Sequence, residues 1–218
     1  MQRYQDRVEA GRALADLVSR HDYDRPVVLA LPRGGVPVAA EVARAIGAPL
    51  DLVMVRKIGV PSQPELAAAA VVDGARPELV VNEEIARHAG LSRADLDRLA
   101  EVQLEVIRKR RAAYLKDRKP VDLKDRTAIV VDDGIATGAT MRAALKAVRR
   151  QGPARVVLVV PVAAADSLAA LRGEVDEVIC PTVPTFLGAI GAFYVRFDQT
   201  SDDEVARLLA EAPQEKAS

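Results

Sequence analysis

The segment AIVVDDGIATGAT, residues 128–140, sets two adjacent carboxylates, Asp132 and Asp133, between an apolar run and a stretch of glycines, small residues and two hydroxyls. Gly134, Ala136, Gly138 and Ala139 permit a tight turn whose backbone N–H groups can converge on one oxyanion, and Thr137 and Thr140 add hydroxyl donors. A helix opening from that turn would add its positive N-terminal end. Carboxylates repel phosphate, so Asp132 and Asp133 call for a different neighbour. A vicinal diol can donate to them, and a hard cation such as Mg²⁺ can be ligated by them. A monophosphate in the turn with a sugar over the acids describes a ribose 5-phosphate group.

Two more apolar runs end in residues that suit anions. PVVLAL (26–31) breaks at PRGGVP (32–37), and LDLVMV (50–55) leads into Arg56 and Lys57. Other chemistries are poorly supplied. His21 and His88 lie far apart, and the single cysteine, Cys180, completes no zinc or Cys–His spacing and no internal disulfide. Chemistry must therefore rest on carboxylates, hydroxyls, backbone amides and Arg or Lys. Lys+Arg and Asp+Glu balance at 31 each, which gives no global field towards nucleic acid or a membrane. The basic run IRKRRAAYLKDRK (107–119) is offset by acids in the preceding helical turns, so no nucleic-acid partner is expected. No apolar run approaches the ~20 residues of a membrane span, and the N-terminus has no signal-peptide pattern. A cytoplasmic protein with no membrane partner is expected.

The elements that must hold these residues follow from periodicity. Helical spacing is read over 7–20, over 38–47 with Pro37 in the first turn and Gly47 as the stop, and over 139–150. Further helices fill about 83–116, where Ser92 and Asp95 form a capping box, and a last helix follows Ser201 and Glu204. Strands are read at 26–31, 50–55, 78–82, 126–131, 154–160 and 176–180. Residues 56–70 read as a loop leading to a short strand at Ala70–Val72. The alternation predicts an α/β fold with a mainly parallel central sheet flanked by helices. One domain over 1–218 is expected, with a helical insertion at about 83–119. Ligands of such sheets gather at the carboxyl ends of the strands.

The two acids followed by T-G-x-T after an apolar strand resemble the type I phosphoribosyltransferases, a likeness that runs over about residues 25–198. The resemblance implies that fold, with a small hood at about 182–197. It also implies transfer of ribose 5-phosphate from 5-phosphoribosyl 1-diphosphate (PRPP) to a nitrogen acceptor, with Mg²⁺ as cofactor. Asp132 and Asp133 would take the ribose hydroxyls and meet the metal, through water or those hydroxyls. Ala136, Thr137, Gly138, Ala139 and Thr140 would cradle the 5-phosphate. Arg33, Gly34 and Gly35 would hold the diphosphate, across a cis Pro32–Arg33 bond, and Arg56 and Lys57 would reach it. Residues 58–70 would form a mobile flap, with Glu65 as the nearest candidate base. Ala136 stands where the hypoxanthine-guanine branch has an acid, as in the adenine and orotate branches. Phe186, Phe193 and Tyr194, near Phe197, are candidates for a base pocket. The partners implied are PRPP and a small-molecule acceptor, a nucleobase or else an amine or carbohydrate-like compound. A homodimer is a family expectation, with the helix at 92–116 as a surface. The alternative is a PRPP- or nucleotide-sensing regulator of the same fold, binding without turnover.

Overall fold

The computed structural model describes residues 3–61, 63–73, 77–116, 118 and 120–215, and the side chains of Pro64 and Glu65 lie outside that description. The first half runs α1 (Arg7–Val18), β1 (Pro26–Ala30), α2 (Gly35–Ile46), β2 (Leu50–Leu52), β3 (Val55–Val60), β4 (Gln63–Val72), β5 (Glu78–Val81), α3 (Glu83–His88) and α4 (Arg93–Leu115). The second half runs β6 (Thr127–Val131), α5 (Ala139–Arg150), β7 (Arg155–Val159), α6 (Ala165–Leu171), β8 (Glu177–Ile179) and α7 (Asp202–Glu211).

Five strands form a parallel sheet in the order β2-β1-β6-β7-β8. Alternate side chains of each strand enter different cores, as the two-residue period of a strand requires. Val28 and Ala30 of β1, Ile129 and Val131 of β6, and Val157 and Val159 of β7 pack with α1, α2, α4 and α7. Val27, Leu29, Ala128, Val130, Val156 and Leu158 pack with α5 and α6 on the other face. Burial on both faces is why these runs read as unbroken apolar stretches.

The chain leaves β1 for β2 on one side and β6 for β7 on the other, so strand order reverses between β1 and β6. That is the crevice where ligands of doubly wound sheets bind. Register fixes what meets there. Ala30 pairs with Val131, and Leu31 N–H donates to Val131 C=O at 3.0 Å. The PRGG and DDGIATGAT segments therefore leave the sheet side by side.

The α/β reading of the sequence matches this architecture, with three local differences. LDLVMV is not one strand: β2 stops at Leu52 and the chain turns through Val53 and Met54 into β3. Residues 56–70 are not a loop. β3, β4 and β5 make a separate antiparallel sheet, with a register shift near Gly59. Glycine, prolines and an alanine run, all poor strand formers, concealed it. The seven-residue α6 was also not read from the sequence.

The segment after β5 is helical, and its longer helix opens with the expected capping box: Ser92 and Asp95 exchange bonds with each other's backbone N–H. Arg111 anchors α4 to both sheets. Its Nη2 meets Asp51 Oδ1 at 2.6 Å and its Nη1 meets Asp73 Oδ2 at 2.8 Å, with all three groups nearly buried. Val121 N–H and Met54 N–H saturate the remaining carboxylate oxygens. No described helix is long and apolar enough to cross a membrane.

Candidate active site

The turn after β6 is built to leave donors free. Gly138 has φ +72°, a left-handed conformation that turns the chain into α5, and Arg142 N–H is the first to find a helical partner, Gly138 C=O, at 2.8 Å. Among the described residues, the backbone N–H groups of Ala136 to Met141 donate to no protein acceptor. The outward carbonyl is occupied instead, because Ser167 Oγ donates to Ala136 C=O at 2.5 Å. Ile135 is pinned on both sides, its N–H on Val162 C=O and its C=O under Ala164 N–H. Unpaired amides at a helix start, held by a rigid turn, form a strong anion receptor.

Asp132 and Asp133 stand immediately before this turn, each half-buried and each with one oxygen in use. Asp132 Oδ1 accepts Asp133 N–H at 2.8 Å. Asp133 Oδ2 accepts from Arg7 Nε, also at 2.8 Å. The other oxygens, Asp132 Oδ2 and Asp133 Oδ1, accept no N–H donor among the described residues. Desolvation and the neighbouring Asp133 carboxylate push Asp132 well above the usual carboxylate range, against the pull of the Asp133 N–H and Arg7. The pair resists carrying two negative charges, and a hydrogen-bond donor or cation between them would relieve it.

The PRGG loop presses on these acids. A Cβ at Gly34 would stand 2.1 Å from Asp133 Oδ2, and one at Gly35 would stand 2.9 Å from Val131 C=O and 3.0 Å from Asp132 Cα. Both positions are glycine because the β6 end and its acids occupy the space a side chain would need. The Pro32–Arg33 bond is cis, as expected. Gly35 N–H is committed to Leu31 C=O at 3.0 Å, which leaves Gly34 N–H as the loop glycine donor without a backbone partner among the described residues.

The remaining candidates are placed as follows. The Arg33 side chain extends to Asp202 at the start of α7, 3.7 Å away. Arg56 Nε donates to Gln103 of α4 at 2.7 Å. Lys57 is exposed and joins Thr137 and Ala139 in lining a cavity of about 640 Å³, which continues along α5 past Arg142 and Lys146. Glu65 lies on β4, with its side chain outside the described residues. Phe193 and Tyr194 are 2% and 3% exposed and pack with Ala10 and Val162, whereas Phe186 is 82% exposed. The three aromatics therefore do not share a pocket: two are walls of the hood and one is presented to solvent. Among the described residues, no three His, Cys, Asp or Glu side chains gather into a metal cage.

Sequence reasoning missed Arg7 and the segment that carries it. Tyr4 N–H donates to Phe193 C=O, and Val195 and Arg196 N–H donate to Tyr4 and Gln5 C=O, so residues 4–5 form one ladder with the hood. Burial and the Asp133 carboxylate push the Tyr194 phenol up, so it remains a donor, and it bonds Asp133 C=O at 2.7 Å. Nothing in local spacing signals such contacts, since Arg7 and Asp133 are 126 residues apart.

Comparison with known proteins gives the family and the fold. The sequence profile of the phosphoribosyl transferase domain matches residues 2–197, so the match takes in the N-terminal segment as well. Proteins of two Mycobacterium tuberculosis strains, CDC 1551 and H37Rv, are each 45% identical over 213 residues and carry provisional phosphoribosyl transferase names. The match covers 97% of this chain and 47% of each relative, so the chain spans about half their length. A crystal structure of a Thermus thermophilus protein is 43% identical, with a TM-score of 0.84 over 97% of this chain and 99% of that one.

Proposed function

The chain belongs to the phosphoribosyl transferase domain family, and from that membership we propose that it moves ribose 5-phosphate from PRPP to a nitrogen acceptor, releasing pyrophosphate. One observation carries the reading. At the reversal point of the sheet, a turn whose amides find no protein acceptor among the described residues follows directly on two acids that each have one oxygen bound to no N–H donor among those residues. The turn suits the 5-phosphate, and two adjacent carboxylates suit two vicinal hydroxyls.

In the proposed reaction the acceptor nitrogen forms a bond to C1 of the ribose as the bond from C1 to the diphosphate oxygen breaks. The bonding pair leaves with pyrophosphate, and the acceptor's proton passes to that departing anion or to solvent. Gly34 N–H would face the growing negative charge, which is where a fixed donor contributes most, whereas Lys57, which lines the cavity beyond the amide turn with Thr137 and Ala139, would have to swing across to reach it. Arg33 reaches it only by leaving Asp202. Mg²⁺ fits the site as a companion of the substrate: Asp132 and Asp133 would hold it through water or the ribose hydroxyls, and it would add positive charge at the diphosphate. Phe186, exposed on the hood, is the ring available to an acceptor base. The β3–β4 hairpin would act as the flap that excludes water.

The test is pyrophosphate release from PRPP across a panel of nucleobases and amines. Release with at least one acceptor is expected. Silence across the panel, with PRPP binding intact by calorimetry, would replace the transferase by the non-catalytic sensor of the same fold.

A further inference from the structure

Arg7 makes more contacts at the site than a surface arginine needs. Its Nε holds Asp133 Oδ2 at 2.8 Å, its Nη1 donates to Asp198 C=O at 2.6 Å, and its guanidinium carbon lies 3.9 Å from the centre of the Phe197 ring. The side chain is 12% exposed. Phe197 stacks in turn on Tyr194, with ring centres 4.8 Å apart, and Tyr194 bonds the backbone of Asp133. Arg7 is thus fixed on three sides and grips one oxygen of one acid.

We infer that Arg7 is a positioning residue for donor recognition: it turns Asp133 so that Oδ1 faces a single ribose hydroxyl, and thereby gives the site its selectivity for an intact vicinal diol. Three considerations support this. First, a free aspartate carboxylate rotates broadly about its last bond, and a planar guanidinium held by a stacked ring removes that freedom. Second, two carboxylates this close repel, and Arg7 supplies the compensating charge without occupying both oxygens. Third, Asp132 has an orienting bond of its own, from the Asp133 backbone N–H, which does not involve the Arg7 side chain. Each acid then answers for one hydroxyl, and only Asp133 takes its orientation from a hydrogen bond to Arg7. The N-terminal segment is therefore part of the sugar site, and its ladder with residues 193–196 ties that site to the hood.

The inference rests on the ribose 5-phosphate reading, and the experiment separates the two. Ribose 5-phosphate and its 2-deoxy and 3-deoxy analogues are titrated by calorimetry into the full chain and into Arg7→Ala, Arg7→Lys and Phe197→Leu, with inorganic phosphate as a control for the turn. In the unaltered chain each deoxy analogue should bind about tenfold more weakly, the cost of one lost hydrogen bond to a charged group. Arg7→Ala should abolish the penalty for one analogue, keep it for the other, and leave phosphate affinity within about twofold. Arg7→Lys should restore part of the lost penalty, and Phe197→Leu should reduce it while keeping the charge. No penalty for either analogue in the unaltered chain would overturn the ribose assignment itself. Both penalties intact in Arg7→Ala, or in Phe197→Leu if the alanine variant does not fold, would overturn the role of Arg7 alone. Loss of both penalties together with phosphate binding would mark a collapsed site and equally overturn it.

Discussion

Replacing Gly34 by alanine tests whether the two loops meet as closely as the structure has them. Gly34 has φ −60° and ψ −34°, a conformation alanine adopts readily, so the backbone gives no reason for harm. The side chain does. The new methyl would sit 2.1 Å from Asp133 Oδ2 and 2.7 Å from Asp133 Cγ. Non-bonded carbon and oxygen need roughly 3 Å or more, so the carboxylate must retreat by about 1 Å. It cannot do so freely, because Arg7 grips Oδ2 and Tyr194 grips the Asp133 carbonyl. Misplacing a positioned group by that distance costs about 100-fold, which as affinity is about 2.7 kcal/mol. Calorimetry with PRPP or ribose 5-phosphate should therefore show a dissociation constant raised about 100-fold, and the same clash should lower stability by about 1–3 kcal/mol. Gly173 serves as the control, since a Cβ there would meet nothing within 4 Å. If Gly34→Ala bound PRPP within threefold of the unaltered chain, Asp133 could not be standing against this loop while holding the sugar.

Two further outcomes test the surroundings of the site. Arg111→Ala strands Asp51 and Asp73, both nearly buried, without their shared cation, so urea denaturation should show a loss of about 3–5 kcal/mol. A loss under 1 kcal/mol would mean the triad does not hold α4 to the sheets. Burial raises the Cys180 thiol from 9.0 to about 11, so at pH 8 its thiolate fraction is about 100-fold below that of a free thiol. Its reaction with a thiol-specific disulfide reagent should be correspondingly slow at pH 8 and accelerate as pH rises towards 11. A rate matching free cysteine would contradict the burial.

The parts legible in the sequence are those where one physical cause acts locally. Runs buried on both faces announced β1, β6 and β7, and the Ser92–Asp95 spacing announced the start of α4. The acids followed by T-G-x-T pointed to a diol beside an anion turn because adjacent residues must serve adjacent parts of one ligand. What stayed hidden depends on contacts distant in sequence. β3 and β4 take their stability from each other across a hairpin, so alanines and prolines suffice there and leave no periodic signal. Phe193 and Tyr194 were read as base-stacking candidates because composition cannot tell a ring that lines a pocket from a ring that walls it. Arg7 was invisible for the same reason: its partner is fixed only once β1, β6 and the hood are assembled.

The charges around the crevice separate into two ends. On one side stand Asp132 and Asp133, offset by Arg7 and crowded by Gly34 and Gly35. On the other, beyond the amide turn, Lys57, Arg142 and Lys146 line the cavity along α5. A ligand carrying a diol between two anionic groups matches this alternation better than a simple polyanion, which the acids would repel, or a neutral sugar, which would leave the amides unused. Removing the acids' charge tests the point physically: Asp132→Asn with Asp133→Asn should weaken PRPP while sparing or strengthening inorganic pyrophosphate, because removing negative charge helps any anion that carries no diol. Equal weakening of both would mean that the acids act through the fold rather than through the sugar.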